Sequence, residues 1–153
     1  MDRKKRLLIL GPSFRRNRGE DPLTALNFYD GLFFRIAKKY LEKNRSVDVL
    51  VMIDDLTLVD SKVLLYYNKP KGEYWGNQKF LKLFLENAKV KNEIFLRRKL
   101  KNLKYSEIFL SMGKIYAKAL PDFSQFEIKV IFPTKGGLGP KALALKNWFL
   151  IET

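Results

Sequence analysis

Ile128-Lys129-Val130-Ile131-Phe132-Pro133-Thr134-Lys135-Gly136-Gly137-Leu138-Gly139-Pro140-Lys141 is an apolar run that breaks into a glycine-rich loop with two lysines, and it reads as strand, turn and helix. Glycine lets backbone N–H groups meet a ligand with no Cβ in the way, and a helix starting near Pro140 directs its unbonded N–H groups into the same space. Gly136, Gly137 and Gly139 form a candidate phosphate loop, with Lys135 and Lys141 as its cations. A tight βα connection that needs glycine only for its dihedral angles is the plainer alternative.

The same unit recurs along the chain. Arg6 to Gly11, Val47 to Ile53, Glu107 to Met112 and Glu127 to Phe132 are short aliphatic runs suited to buried strands. Between them, a helix is expected from Pro22, capped by Asp21, to about Asn44, with Gly31 weakening its middle. Residues 77–103 are helical in composition, and two helices with a break near Lys89 to Asn92 are expected there. Lys62 to Tyr67 reads as a short strand or a helical turn, Gly113 to Leu120 as a short helix, and Lys141 to Leu150 as the last helix. Alternating strands and helices imply an α/β fold, a three-layer α/β/α sandwich with a mainly parallel sheet of four or five strands. All strand carboxyl ends then face one edge, which gathers Ser13 to Arg18, Asp54 and Asp55, Gly113 and Lys114, and Thr134 to Lys141.

With 153 residues, one domain spanning 1–153 is expected, with a basic helical segment at 77–104. No apolar run approaches the ~20 residues of a membrane span, so no membrane association and a cytoplasmic address are expected. The chain has no cysteine and no histidine, which excludes thiolate or imidazole zinc sites, Cys or His nucleophilic relays and disulfides. Carboxylate, hydroxyl, lysine and arginine chemistry remain. No cofactor is implied.

The net charge is +14, and it is clustered. Residues 1–18 hold seven Lys/Arg against one Asp, and residues 79–104 hold nine against two Glu, so these segments carry 13 of the 14 excess charges. A polyanion uses such clustering directly through phosphate neutralisation, so nucleic acid, DNA or tRNA, is the expected partner; solvated basic faces are the alternative. Arg15, Arg16 and Arg18, the run Arg97, Arg98, Lys99 and Lys101, and Lys135 and Lys141 are the expected phosphate contacts, on one surface shared with the terminal glycine turn.

Three pieces resemble one family. Ala25-Leu26-Asn27-Phe28-Tyr29-Asp30-Gly31-Leu32-Phe33-Phe34-Arg35 is similar to the YDGxxFR helix of a widespread prokaryotic domain related to YaaA-like peroxide-stress proteins. Ile108 to Tyr116 resembles its later strand and helix, and Phe132 to Gly139 resembles its PxxGLG loop. The resemblance implies an α/β sheet and DNA binding. A more distant likeness, to the lyase domain of archaeosine synthase, implies base modification in tRNA through a Cys-Ser signature and a lysine. Where the family shows Ser-Cys-Ser this chain reads Gly11-Pro12-Ser13-Phe14-Arg15-Arg16, and where it shows Ser-Ala-x-x-Gly-Leu this chain reads Met52 to Leu58.

For an enzyme acting on a nucleobase or nucleotide, the candidate catalytic residues are Ser13, Tyr29, Asp30 and Lys135. Tyr29-Asp30-Gly31 sets a phenol and a carboxylate beside a glycine that costs a helix about 1 kcal/mol, either to present them to a ligand or to kink the helix. Asp54 and Asp55 serve Mg²⁺ only if the chain has turned, because neighbours on a strand face opposite ways; capping a turn is the simpler role. Glu127-Ile128-Lys129 has the spacing of a metal-nuclease strand, with Asp122 nearest in sequence, but no acidic residue stands before a separate strand at the usual distance. Tyr66, Tyr67, Tyr74 and Trp75, interleaved with Lys69 and Lys71, suit base stacking or ordinary packing beneath a loop.

Overall fold

The computed structural model describes residues 4–13, 17, 22–66, 78–102 and 105–151, with the backbone alone at 78–80 and 102. Four parallel strands, β1 (Lys5–Leu10), β3 (Val47–Met52), β6 (Tyr105–Ser111) and β7 (Lys129–Ile131), form a sheet completed by the antiparallel β4 (Leu58–Asp60). Its strand order is β4-β3-β1-β6-β7. The fold is mixed α/β with a mostly parallel sheet, as the strand–helix alternation predicts.

Central strands covered on both faces need side chains that are apolar at every position. In β1, Leu7 and Ile9 enter one buried cluster, while Leu8 and Leu10 enter another. The first cluster includes Leu85, Ala88 and Leu96 of α3 (Gln78–Asn102). The second includes Ala25 and Phe28 of α1 (Ala25–Phe28), Phe34 and Ile36 of α2 (Leu32–Leu41), and Leu145 and Trp148 of α5 (Leu138–Leu150).

Two helical expectations are corrected. The segment from Pro22 to Asn44 is not one helix: β2 (Leu23–Thr24) pairs antiparallel with β5 (Leu64–Leu65), and α1 and α2 are separated at Tyr29 to Gly31, where Tyr29 is extended at φ −91° and ψ 145°. Gly31 stands at this break as the N-cap of α2 and lies close to Ser13; a Cβ on Gly31 would lie 2.6 Å from Ser13 Oγ. Asp21, expected as the cap, lies outside the described residues. The second correction is that residues 78–102 form one continuous helix, with no break near Lys89 to Asn92. Asn92, which reads as a breaker, is buried at 1% exposure and turns its amide inward. It accepts from Leu58 N at 2.8 Å and donates to the carbonyls of Leu56 at 2.9 Å and Ala119 at 2.8 Å.

α5 begins at Leu138, capped by Gly137, a few residues before the predicted Lys141. Its far end is fastened at the amino edge of the sheet by Arg6, which is buried, donates to Trp148 O at 2.6 Å and lies 4.3 Å over the Trp148 ring. Burial lowers the Arg6 pKa, and the nearby Glu107 carboxylate opposes that shift. Trp148 Nε1 in turn donates to Glu107 at 3.1 Å. α5 therefore runs back along the sheet with its N-terminus at the carboxyl edge. Among the described residues, no helix is long and apolar enough to cross a membrane.

Candidate functional site at the carboxyl edge of the sheet

β1 leads leftward to β3 in the strand order, whereas β6 leads rightward to β7. Adjacent parallel strands whose connections depart in opposite directions leave a crevice beyond their carboxyl ends, where open α/β sheets bind ligands. Here a cleft of about 400 Å³ occupies that position, lined by Ser13, Gly31, Phe34, Met112, Tyr116 and Leu138 among others. Its walls are mainly aromatic and aliphatic, and Ser13 and Ser111 bring hydroxyls.

Two glycines set the cleft's shape. Gly11 N donates to Ser111 O at 3.0 Å, and a Cβ at Gly11 would lie 2.5 Å from Met112 Cβ, so the loops after β1 and β6 approach more closely there than any other residue allows. Gly31 admits Ser13 in the same way and caps α2, whose first residues Leu32, Phe33 and Phe34 line the cleft. The N-termini of α2 and α5 both open at this edge, and neither Gly31 nor Gly137 offers a side-chain cap. Their first-turn N–H groups are the anion-attracting end of each helix.

The terminal turn is exposed from Lys135 to Pro140. Gly136 has φ +85°, so its backbone alone requires glycine, which is what the plainer reading of the turn expects. Gly137 and Gly139 differ from it. Neither has a left-handed φ, and a Cβ at either would meet nothing within 4 Å. Packing against the described residues does not require glycine at Gly137, whereas Gly139 precedes Pro140 inside α5, where a Cβ would crowd the proline ring.

The candidate residues are distributed as follows. Ser13 lines the cleft, Lys135 stands exposed on the turn, and Lys141 is half-buried in the first turns of α5. Tyr29 is 1% exposed and donates to Asp54 Oδ1 at 2.9 Å, between the rings of Phe28 and Phe34. Asp30 receives a two-pronged contact from Arg35, both bonds at 2.9 Å. Tyr29 and Asp30 are thus each engaged by a neighbouring side chain. Arg15, Arg16 and Arg18 lie outside the described residues, although Asn17 between them is bonded to the carbonyls of Phe28 and Asn27.

Arg97, Arg98, Lys99 and Lys101 lie at the other edge. α3 ends shortly before β6 begins, so its last turns adjoin the amino ends of the strands. Lys99 reaches Asp60 at 3.3 Å, and Arg97 contacts Glu93 at 3.3 Å together with Gln125 ahead of β7, while Arg98 and Lys101 are exposed. The surface expected to unite this run with the glycine turn is therefore split between two edges. The strands between them are six or seven residues long, about 20 Å. Segment charge is visible in a sequence, but the edge that receives it follows from helix direction.

Asp55 Oδ1 accepts from Thr57 N at 3.0 Å, the turn-capping role, while Asp54 serves Tyr29. Asp122 caps the 3-10 helix at Phe123–Phe126, and the Ser124 backbone N–H holds its carboxyl below the usual carboxylate range. Glu127 is exposed in a left-handed conformation at φ 51°. Among the described residues, no group of three or more acidic side chains is placed to hold a metal ion. Tyr66 is exposed, whereas Tyr67, Lys69, Lys71, Tyr74 and Trp75 lie outside the described residues.

Sequence reasoning missed the cleft walls Phe34, Met112 and Tyr116, which stand far apart in the chain and read singly as core. The usable signal was the pair Gly11 and Gly31, each at a place where glycine is costly. Comparison with known protein families, with curated proteins and with solved structures gives no match for this chain.

Proposed function

We propose that the protein binds nucleic acid as a cytoplasmic member of the YaaA-like superfamily, using the carboxyl edge of a three-layer α/β/α sandwich. Phosphates sit at the exposed turn, on Lys135, Lys141 and the backbone of Gly136, Gly137 and Gly139, and an unpaired base enters the apolar cleft. Arg15, Arg16 and Arg18, next in sequence to Ser13, add phosphate contacts. The observation that carries this reading is the exposed turn at Gly137, where a Cβ would meet nothing within 4 Å among the described residues, beside a switch-point cleft of nucleotide size. Modification of a nucleobase would use the same cleft, but Tyr29 is committed to Asp54 and Asp30 to Arg35, so binding is the better supported role.

The test is equilibrium binding of single-stranded and duplex oligonucleotides over a salt series. Wild-type affinity falls steeply with salt, and Lys135→Glu with Lys141→Glu weakens binding about 10- to 100-fold and lowers the log–log salt slope by about 2. Arg98→Glu with Lys101→Glu, at the opposite edge, leaves affinity within about threefold. A flat salt response, or equal losses from both pairs, contradicts the proposal.

A second measurement addresses the glycines. Gly139→Ala, inside the first turn of α5, leaves stability within about 1 kcal/mol of wild type, because the smaller loss of backbone freedom is offset by a Cβ that crowds Pro140. The same substitution weakens oligonucleotide binding by blocking backbone approach. A variant that folds and binds unchanged removes the turn from the interface.

A further inference from the structure

The outward face of α3 carries aliphatic side chains that stand exposed among the described residues. Leu83 is 52% exposed, Val90 62% and Ile94 51%, on a helix whose opposite face already supplies Leu85, Ala88 and Leu96 to the core. On a helix of 3.6 residues per turn, Leu83, Val90 and Ile94 fall within about 20° of one line. With Asn87 between them, the steps from 83 to 87, 90, 94, 97 and 101 alternate four and three residues, which is the spacing of a coiled-coil seam. A helix lying on a membrane shows a broad apolar face; this strip is narrow and has a polar residue in its middle.

We propose that this seam pairs α3 with α3 of a second copy, as a short parallel two-stranded coiled coil. In heptad terms Leu83 and Val90 are d positions and Asn87 and Ile94 are a positions. The flanking e positions are then Phe84, Lys91 and Arg98, and the g positions are Glu86 and Glu93. In a parallel pair, each g residue faces the e residue five positions later on the other helix, so Glu86 meets Lys91 and Glu93 meets Arg98. Every such pair is of opposite charge. An antiparallel pair would set Glu against Glu and Lys against Arg, and it is disfavoured.

Asn87 supports the same arrangement. At an a position it faces its own copy across the axis, where two amides bond each other, and this fixes register and limits the assembly to two strands. The contact runs from Leu83 to Arg98, because Arg97 is held by Glu93 and Gln125 and Lys101 would face its own copy. Packing on the sheet already orders α3, so pairing pays no helix-forming cost. Nucleic acid is the less suited occupant of this face, since three aliphatic side chains would lie against phosphates. A two-fold axis along α3 also runs along the strands, so both carboxyl-edge clefts open at the same end of the pair.

The test is sedimentation equilibrium of the full chain over a wide concentration series. A reversible monomer–dimer equilibrium is expected, and Val90→Glu with Ile94→Glu, both at exposed positions, lowers association at least about 100-fold with an unchanged melting temperature at concentrations where both proteins are monomeric. Glu86→Lys alone and Lys91→Glu alone each weaken association, and together they restore it. Because the chain has no cysteine, Asn87→Cys gives a clean orientation probe. A parallel in-register pair brings those thiols to disulfide distance under mild oxidation, while Lys82→Cys on the flank does not cross-link. A chain that stays monomeric throughout, a dimer that survives the Val90 and Ile94 changes, or equal cross-linking at both cysteine positions overturns the proposal. So does a monomer that engages an oligonucleotide or a glutamate-rich helical peptide through this face.

Discussion

Asn92→Ala is expected to destabilise the protein by about 4 kcal/mol, read as a shift of the urea midpoint at constant slope. The amide joins three elements: it accepts from Leu58 N at the start of β4, and it donates to the carbonyls of Leu56 and Ala119. Alanine leaves a donor and two acceptors without those partners in a region where Leu56 and Ala119 are fully buried, and each costs about 1–3 kcal/mol. Leu56 is a strained part of the same region. It sits at φ 68°, a left-handed conformation unfavourable for leucine by about 1–2 kcal/mol, and Asn92 is one of the contacts that hold it there. Asn92→Asp keeps the acceptor but turns carboxylate oxygen toward two carbonyls, so it is expected to be as damaging. If both variants stay within 1 kcal/mol of wild type, the account of why α3 runs unbroken through Asn92 fails.

Gly11→Val is expected to cost about 3 kcal/mol and to reduce ligand binding at the same time. A Cβ there meets Met112 Cβ at 2.5 Å and Met112 Cα at 3.2 Å, and because the latter is backbone, relief requires the ends of β1 and β6 to part. Forced overpacking of this kind costs roughly 1–3 kcal/mol, with branched side chains at the upper end. Gly11 and Met112 also line the cleft, so the same separation changes the shape of the site. Gly113→Ala is the control: it lies on the same cleft, but its Cβ would meet nothing closer than the Tyr116 ring at 3.7 Å, and it is expected to be tolerated. Denaturant titration of the two variants checks the contrast, which comparable losses would refute.

The strands were legible because β1, β3 and β6 each hold an unbroken apolar run, Leu7 to Leu10, Val49 to Met52 and Ile108 to Leu110, and burial on two faces leaves few other ways to write a strand. The carboxyl edge as the place of the site followed from the same alternation. The break at Tyr29 to Gly31 was less legible. Gly31 flagged it, but the segment also packs against Ser13, 18 positions earlier, and β2 before it pairs with β5, which local pattern does not contain. The continuity of α3 was hidden for the converse reason. Asn92 has the propensity of a helix breaker, and its three partners lie 27 to 36 positions away. Charge showed the same limit: clustering in residues 79–104 was plain, whereas the delivery of Arg97 to Lys101 to the amino edge depends on α3 running antiparallel to the strands.

The central claim, that nucleic acid lies across the carboxyl edge, is tested most directly by mapping backbone amide shifts in NMR spectra during titration with a short single-stranded oligonucleotide. The account predicts shifts concentrated at Ser13, at Gly31 and Leu32, at Gly113 and along Lys135 to Lys141. Shifts confined to Arg97 to Lys101, or a titration that moves no amide, would contradict it.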